Sequence, residues 1–462
     1  MDQQQQSKML AEEPIPSLLK RMSIPAIVGM VVMVLYNVVD TIFISYFVGI
    51  EGVAAATIAG PVMMIMLAIA AALGIGGSSV ISRRLGEKRE GEANRVFNTV
   101  LSLIIIMGIV GVIAAFTVLE PLLVLFGATP DLMALALDYI FPITLGTIFF
   151  SFAFATNAMI RSEGNARFAM ITMIIPSVIN IILDPIFIAW LGMGVQGAAV
   201  ATVISQGIVS IYVLYYYLAG RSSLRIILSE MIPRYNLSKE VFVVGLPAFV
   251  RQVSASVMMI AINAMLIRYG GEFYVGVFGI VQRVMMFTLM PMMGILQGMQ
   301  PIVGYNYGAN LYDRMREVIL LALKVVTIYS IVVFAAIMLL PELLLRIFTA
   351  DAAVIEAATD GMRIMFAAGI LIGAQVISGG LYQSLGMAKP ALILSMARQV
   401  LFLIPLVLIL PQFFGVWGVW LAFPIADVLA FLLSVYFLYR DRGLFFKPRE
   451  KSSAVKEAPS SG

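Results

Sequence analysis

The sequence has 462 residues, of which 61% are hydrophobic and 12% charged, and its mean hydropathy is +0.99. This composition excludes a soluble globular protein, whose surface would need far more charge, and indicates a polytopic membrane protein. Cysteine and histidine are both absent, so thiol chemistry is excluded and any proton relay must use carboxylates, tyrosine or water, while a net charge of +4 is no signature of nucleic-acid binding.

Twelve apolar stretches are long enough, at about twenty residues or more each, to cross a bilayer as helices. They cover approximately residues 22–47, 53–82, 96–119, 132–160, 168–191, 195–219, 241–268, 275–304, 317–340, 355–383, 391–410 and 416–439. The predicted fold class is therefore an all-α polytopic membrane protein with twelve transmembrane helices. The predicted divisions are a polar N-terminal tail (1–14), a first lobe (15–220), a cytoplasmic linker (221–240), a second lobe (241–440) and a cytoplasmic tail (441–462).

The distribution of basic residues predicts the orientation. Most of the 30 lysines and arginines lie in segments on the side of the two termini. Only Arg268 and Arg346 lie on the other side. Four arginines lie within spans, namely Arg251, Arg283, Arg363 and Arg398. By the positive-inside rule both termini are predicted to be cytoplasmic, in a multi-pass protein of the cell membrane.

The two lobes repeat each other at a constant offset. When the chain is shifted by 222 positions, identical residues coincide at several places. Examples are Pro25 with Pro247, Gly49 with Gly271, Gly86 with Gly308, Glu120 with Glu342, Phe126 with Phe348 and Asp138 with Asp360. Each repeat holds six spans, an even number, so both lobes share one orientation. This predicts pseudo-two-fold symmetry about an axis along the membrane normal, with a site at the interface between the lobes.

Span 5 carries the most informative polar motif. Asn180 and Asp184 are four residues apart, which places both side chains on one helix face, and Pro185 removes the backbone donor for the carbonyl of Ile181. A carboxylate within a span costs about 2.5–3.5 kcal/mol on insertion scales, so its default interpretation is functional. Side-chain and carbonyl oxygens of this kind suit a proton or a hard cation such as Na⁺.

Three further polar residues lie at the same predicted depth as Asp184. Asp40 in span 1, Tyr139 in span 4 and Thr202 in span 6 all lie roughly 10 Å below the outer surface at 1.5 Å per residue. Asn37 shares a helix face with Asp40. One layer formed by four spans predicts a single site, although each polar residue taken alone could instead satisfy a neighbouring helix.

Below that layer the same helix faces carry an apolar, aromatic and methionine-rich wall with a few amides. Such a wall suits varied amphipathic ligands, although ordinary helix packing is the alternative for each residue. The candidate substrate-binding residues are Met33, Tyr36, Phe150, Phe154, Asn157, Met173, Ser177 and Gln206.

The repeat does not copy the acids of the first lobe. The second lobe has Arg251 in span 7 and Asp427 in span 12 near mid-depth, and we expect these two to form a structural ion pair. The candidate chemistry is therefore confined to the first lobe, whereas the architecture is shared.

Four motifs together resemble the multidrug and toxic compound extrusion (MATE) family, over nearly all of residues 15–440. They are Tyr36-Asn37-Val38-Val39-Asp40, Asn180-Ile181-Ile182-Leu183-Asp184-Pro185, Gly194-Val195-Gln196-Gly197-Ala198-Ala199 with Ala201-Thr202, and Gln300-Pro301 followed by Gly304-Tyr305-Asn306-Tyr307-Gly308-Ala309. The pattern is similar to the prokaryotic damage-inducible-protein (DinF-like) branch, because spans 7 and 10 have no central acid that could form a site in the second lobe.

The resemblance implies a secondary active efflux transporter rather than an enzyme, with two six-helix lobes around a central cavity. It implies H⁺ or Na⁺ antiport against cationic amphipathic drugs, with no other cofactor, no nucleic-acid partner and a monomeric state in the lipid bilayer. The implied cation ligands are Asp40, Asn180, Asp184 and Thr202, with the backbone carbonyl of Ala198, and Tyr139 matches a position in the family's proton-linked network.

Two other functions remain open from the sequence. The first is a flippase for lipid-linked oligosaccharides, in a related fold. A flippase cavity should be markedly cationic to hold pyrophosphate, whereas the spans of the first lobe have no basic core. The second is a channel or membrane scaffold, which would not need a titratable site inside the membrane.

Overall fold

The computed structural model describes residues 3–446, and every regular element in that range is helical. Spans 1–6 are Ile15–Phe47, Ile50–Gly86, Glu90–Thr117, the pair Pro130–Leu145 and Thr147–Ser162, Ala166–Pro185 continued by Ile186–Trp190, and Gly194–Leu218. Spans 7–12 are the two arms of Tyr235–Gly308, then Tyr312–Leu339, the pair Ala352–Met365 and Gly369–Ser384, the run Ala388–Met396, Ala397–Leu403, Ile404–Ile409 and Pro411–Phe414, and Val416–Arg440. Short helices are Gln3–Glu12, Leu119–Leu125, Leu228–Glu230, Pro341–Arg346 and Arg442–Phe446.

The described helices confirm the predicted fold class. Nine of them are long and apolar enough to cross a membrane, and two bent helix pairs raise the number to 11. One of the nine, Tyr235–Gly308, has 74 residues and breaks at Gly271, so it supplies two spans and the total becomes twelve. Most of the predicted C-terminal tail, residues 447–462, lies outside the described residues.

Gly271 makes the turn between spans 7 and 8 without a loop. Its backbone has φ 74° and ψ −177°, a conformation that is open to glycine and strained for residues with a Cβ. Gly49 occupies the equivalent turn of the first lobe, with φ 95°. The repeated glycine therefore marks the same sharp reversal in both halves of the chain.

Irregular features also recur between the halves. Spans 4 and 10 are bent by 55° and 56° between their two helices. Spans 5 and 11 each contain a π-helical segment, Ile186–Trp190 and Ala397–Leu403. Shared bends in addition to shared spans show that the repeat extends to the three-dimensional structure.

The N-terminal segment, predicted as a polar tail, forms the helix Gln3–Glu12. Met9 and Leu10 on this helix are buried. The carbonyls of Leu10 and Glu13 accept hydrogen bonds from Arg314 Nη2, at 3.4 and 2.7 Å. The glutamine-rich composition led to the prediction of a polar tail, but two apolar residues of this segment pack against the ends of the spans.

The two lobes touch each other mainly at one end of the bundle. We call the end at which the described residues begin and end the terminal end, and the opposite end the far end. A Cβ at Gly245 of span 7 would overlap the backbone of Ala72 in span 2, so only glycine allows this approach. Nearer the terminal end, Glu240 lies 3.5 Å from Arg83 and 3.4 Å from Arg84 across the same interface.

The hydrophobic core follows the same division. One cluster of buried residues runs from the first lobe into the terminal part of the second lobe, where it includes Val244 and Val303. A separate cluster fills the far part of the second lobe and includes Met258 and Phe278. The lobes therefore share a core at the terminal end and diverge from mid-depth towards the far end.

The linker is hydrogen-bonded to the first lobe along most of its length. The side chains of Asn94 and Asn98 accept hydrogen bonds from the backbone N–H groups of Arg225 and Ile227, at 2.6 and 2.9 Å. Further along, Ser102 Oγ donates to the carbonyl of Met231. The polar composition that identified a linker in the sequence thus serves to bind it to span 3.

A buried glutamate holds the start of the linker. Glu163, at the end of span 4, is 2% exposed, and its Oε2 accepts hydrogen bonds from Ser222 Oγ at 2.7 Å and from the N–H and Oγ of Ser223 at 2.8 and 2.9 Å. Burial raises the pKa of Glu163 from 4.5 to about 7, although the hydrogen bonds from Ser222 and Ser223 act in the opposite direction.

This pKa predicts a pH-dependent stability. A carboxyl whose pKa is higher in the folded state stabilises the fold below its ordinary pKa of 4.5, and this contribution is lost as pH rises through about 7. The loss corresponds to about 3 kcal/mol. We expect Glu163→Gln, which keeps the shape and an acceptor oxygen, to remove most of this dependence.

The measurement is thermal unfolding of the purified protein in detergent between pH 4.5 and 8. The exposed Glu120 provides a matched control, since Glu120→Gln should leave the wild-type pH profile unchanged. Identical profiles for wild type and Glu163→Gln would show that the buried carboxyl does not titrate in this range.

Candidate cation and substrate site

Two carboxyl groups meet between spans 1 and 5. Asp40 and Asp184 interact directly through their side chains, and the amide of Asn180 lies close to Asp184. Asp184 is fully buried, Asn180 is 1% exposed, and Asp40 is half-buried. The structure thus brings together the two intramembrane acids of the first lobe that the sequence placed at one depth.

The oxygens of this group lack hydrogen donors. Asp40 Oδ1, both carboxylate oxygens of Asp184 and Asn180 Oδ1 are buried without a hydrogen-bond partner in the described part of the chain. No arginine or lysine among the described residues forms an ion pair with either acid. Two adjacent carboxyls without a donor require a proton, a cation or water between them, because unpaired buried acceptors are costly.

Local helix geometry brings span 6 to this group. Span 5 changes from α-helix to π-helix directly after Pro185. A Cβ at Gly197 would lie 2.7 Å from the backbone of Phe187, so glycine lets span 6 pack against the π-helical segment. Farther along span 6, Thr202 Oγ1 accepts a hydrogen bond of 3.2 Å from Asn180 Nδ2. Ala198, one turn before Thr202, is fully buried.

Two tyrosines complete the group. Tyr139 is 7% exposed and interacts electrostatically with Asp40, Tyr36 and Asp184. Tyr36 interacts with Asp40 and Asp184 in the same way, although the sequence interpretation placed it among the substrate residues. The four-residue spacing of Tyr36 and Asp40 on span 1 was the signal that could have assigned it to the acids.

A family model now assigns the chain. The MatE family model matches residues 25–186 and again residues 247–409, so it covers more than half of the chain and matches each half once. The chain belongs to the MATE family. It is therefore a multidrug efflux transporter of this family and not an enzyme.

Known relatives agree with this assignment. The multidrug export protein MepA of Staphylococcus aureus (strain NCTC 8325 / PS 47) is 26% identical over 434 residues, which cover 93% of this chain and 95% of the relative. The MATE multidrug transporter DinF-BH, solved in complex with the dye rhodamine 6G, is 62% identical with a TM-score of 0.88, and the match covers 94% of this chain and 98% of that one. This similarity confirms the DinF-like branch.

A further solved structure shows the same fold at lower identity. It is an outward-facing conformation of a multidrug resistance MATE family transporter of the MOP superfamily. It is 30% identical to this chain, with a TM-score of 0.89, and the match covers 94% of this chain and 98% of that one. Both structural matches extend over twelve helices and two lobes.

Several predicted site residues of this MATE transporter are occupied with other contacts. Asn37 is exposed, and its amide donates to the carbonyl of Met33 at 2.7 Å, so the structure does not bring it to the acids. Asn157 is buried, and its amide donates to the carbonyl of Ala169 at 2.6 Å and to Thr172 Oγ1 at 2.8 Å. Arg161 donates to the remaining oxygen of Asn157. Both polar atoms of the Asn157 side chain thus already have partners within the protein.

The other predicted wall residues are partly exposed or buried. Met33, Phe150, Phe154, Met173 and Gln206 are all half-buried. The rings of Phe150 and Phe154 lie 6.2 Å apart. Ser177 is buried and donates to the carbonyl of Met173 at 2.8 Å.

Span 1 and span 5 approach through a sulfur contact. A Cβ at Gly29 would lie 2.8 Å from Met173 Sδ. This contact aligns the two helices below the acid pair. Met173 therefore belongs both to the predicted wall and to the packing of these helices.

The predicted pair of Arg251 with Asp427 in the second lobe is wrong. Asp427 is fully buried, and its Oδ1 accepts a hydrogen bond from Arg398 Nε at 2.5 Å. Arg398 lies in the π-helical segment of span 11, where side chains no longer follow the α-helical period. Depth along the spans did place Arg251 and Asp427 at one level, but the direction of each side chain depends on helix rotation.

Proposed function

We propose that this transporter exports cationic amphipathic compounds in exchange for a cation, H⁺ or Na⁺, that binds at Asp40 and Asp184. The observation that carries the proposal is the contact of two unpaired carboxyl groups whose buried oxygens lack donors. A group of this kind is stable only when a proton or cation is present, so its occupancy changes with the cation concentration. Asn180 and Thr202 supply further oxygens, which a hard cation such as Na⁺ prefers.

The charge of the site favours cationic cargo over a lipid-linked pyrophosphate. Two acids without a basic partner in the described residues attract a cationic drug and repel a phosphate group. The flippase alternative needs donors such as arginine at this position. None of the described arginines or lysines forms an ion pair here.

The acids and the wall share a side chain, which links cation binding to drug binding. Tyr36 interacts electrostatically with both acids and lies on span 1 between Asp40 and Met33. Neutralising the acids removes the attraction for a cationic drug and lets span 1 repack, which is eased at Pro25 because proline donates no backbone hydrogen bond to Arg21. Cation and drug then exclude each other, and this coupling is reciprocal at equilibrium.

The proposed orientation assigns sides to the two ends of the bundle. If both termini are cytoplasmic, as the positive-inside rule predicts, the closed terminal end faces the cytoplasm and the far end faces outward. The shared core at the terminal end and the divergence beyond mid-depth then correspond to an outward-open arrangement. In this arrangement the cation would reach Asp40 from outside the cell membrane.

Known relatives support the substrate class. DinF-BH was solved with rhodamine 6G, and the staphylococcal relative is a multidrug export protein. This dye is an amphipathic cation of the kind that a carboxylate site beside an aromatic and methionine-rich wall would hold. We therefore use rhodamine 6G as the test substrate.

The test is rhodamine 6G transport by the purified monomeric protein in proteoliposomes, with pH and sodium gradients imposed separately. We expect uphill dye movement when one of the two gradients is imposed in the direction opposite to the dye. The effective gradient identifies the coupling ion. Dye movement that is independent of both gradients would contradict antiport and leave only facilitated diffusion.

A further inference from the structure

Arg251 does not pair with its predicted partner Asp427, and no other described residue forms an ion pair or a side-chain hydrogen bond with it. Asp427 pairs with Arg398 instead, and no described carboxylate lies within ion-pair distance of Arg251. Its guanidinium also forms none of the described side-chain hydrogen bonds. An unpaired charge at mid-depth in a membrane span is costly, so its default interpretation is functional.

The side chain of Arg251 points towards the protein. On span 7, Val244, Pro247, Ser254 and Met258 are buried and lie three, four or seven residues from Arg251, which places them on its helix face. Exposed apolar residues occupy the other side of the helix, namely Phe242, Val243, Val253, Val257, Ile260 and Ile267. Lipid contacts the apolar side, and Arg251 faces inward.

Arg251 lies at the level where the two lobes diverge. Its neighbour Gln252 donates through Nε2 to Met64 Sδ of the first lobe at 3.0 Å. On its own helix face, Val244 belongs to the core that both lobes share, and Met258 belongs to the core of the second lobe alone. Arg251 is half-buried, and none of its guanidinium nitrogens is among the fully buried, partnerless side-chain atoms of the described residues, so the group retains access to the space between the lobes.

The chemistry of an unpaired guanidinium defines its ligand. Arginine has five N–H donors in a planar fork that matches the two oxygens of a carboxylate. Lipid chains supply no acceptor at this depth, and the described protein supplies none. A carboxylate brought in by a substrate would satisfy both the charge and the donors.

We propose that Arg251 binds the carboxylate of zwitterionic amphipathic substrates. The inference rests on the proposed function, in which the cationic group of the same substrate is attracted to Asp40 and Asp184. Arg251 would thereby select, among amphipathic cations, those that also carry a carboxylate.

The test uses two dyes that differ at one group. Rhodamine 6G is an ethyl ester and a cation, and hydrolysis of that ester gives a free acid that is a zwitterion. We would measure the Kd of both dyes by fluorescence anisotropy with the purified full-length protein. The variants are Arg251→Gln, which removes the charge, and Arg251→Lys, which keeps the charge but loses the planar fork.

We expect Arg251→Gln to weaken binding of the free acid by about tenfold or more, which corresponds to about 1.4 kcal/mol, and to change the Kd of the ester by less than about twofold. Arg251→Lys should give an intermediate loss for the free acid. The matched control is Arg268→Gln, at an exposed arginine near the far end of span 7, which should alter neither Kd.

Three results would overturn the inference. Arg251→Gln could weaken both dyes equally, or weaken neither, and in both cases no carboxylate is recognised. It could also fail to fold, which would show that the guanidinium has a structural partner. If the wild type binds neither dye, the proposed function fails. If the wild type binds and transports rhodamine 6G but the variants do not discriminate, only this inference fails.

Discussion

Asp40→Asn is expected to fold normally and to lose coupled efflux. The amide has nearly the same shape as the carboxyl, but it can neither bind a proton nor attract a cation, so the contact with Asp184 no longer changes during a transport cycle. Since coupling between two ligands in proteins spans about 5–150-fold, we expect efflux of rhodamine 6G to fall by about tenfold or more. The measurement is dye efflux from cells that express equal amounts of wild type and variant.

Asn37→Ala is the matched control, because Asn37 lies one turn away on the same helix and donates only to the carbonyl of Met33. Its efflux should remain close to that of wild type. Asp184→Asn should fail like Asp40→Asn, and the double variant should be no worse than either single one, since the two carboxyls act as one unit. Wild-type efflux by well-expressed Asp40→Asn would show that the acid pair is structural.

Removing one partner of the ion pair between Arg398 and Asp427 is expected to destabilise the protein strongly. Asp427 is fully buried and the arginine side chain is 18% exposed, so Arg398→Gln or Asp427→Asn leaves one buried charge without its partner. Such a loss costs about 3–5 kcal/mol. Removing both charges together should cost much less, because no charge is then left unpaired.

A double-mutant cycle on unfolding in detergent measures this coupling. The exposed pair of Arg346 with Glu342, 3.9 Å apart, serves as the control and should contribute little when either side chain is neutralised. Strict additivity of the Arg398→Gln and Asp427→Asn effects would reject the pair.

The sequence predicted the elements that depend on hydrophobicity alone. Span lengths and the depth of each polar residue follow from the number of residues between the ends of a helix. This is why Asp40, Tyr139, Asp184 and Thr202 could be placed in one layer, and the structure brings these residues together. The repeat pairs Gly271 with Gly49, and the predicted span boundaries place both glycines between spans, where the structure has the two reversals.

Side-chain direction could not be predicted in the same way. The π-helical segment Ala397–Leu403 changes the rotation of span 11, so Arg398 rather than Arg251 reaches Asp427. Asn37 was a candidate because it shares a helix face with Asp40, and Asn157 because it lies on the predicted wall. In the structure their amide donors are used by backbone carbonyls. Which polar atoms are already satisfied depends on contacts between helices, and the linear pattern does not contain them.

The hydrogen-bonded linker leaves only a short free connection between the two lobes. Its last described anchor to the first lobe is the hydrogen bond from Ser102 to Met231, and the next helix begins at Tyr235. Only residues 232–234 separate the two, and Ile232 among them is 73% exposed. Pro233 has a fixed φ angle, so rotation about the covalent connection is left to few bonds. The connection is therefore short and keeps the start of span 7 close to span 3, so any movement between the lobes has to be accommodated within these three residues or within the helices themselves.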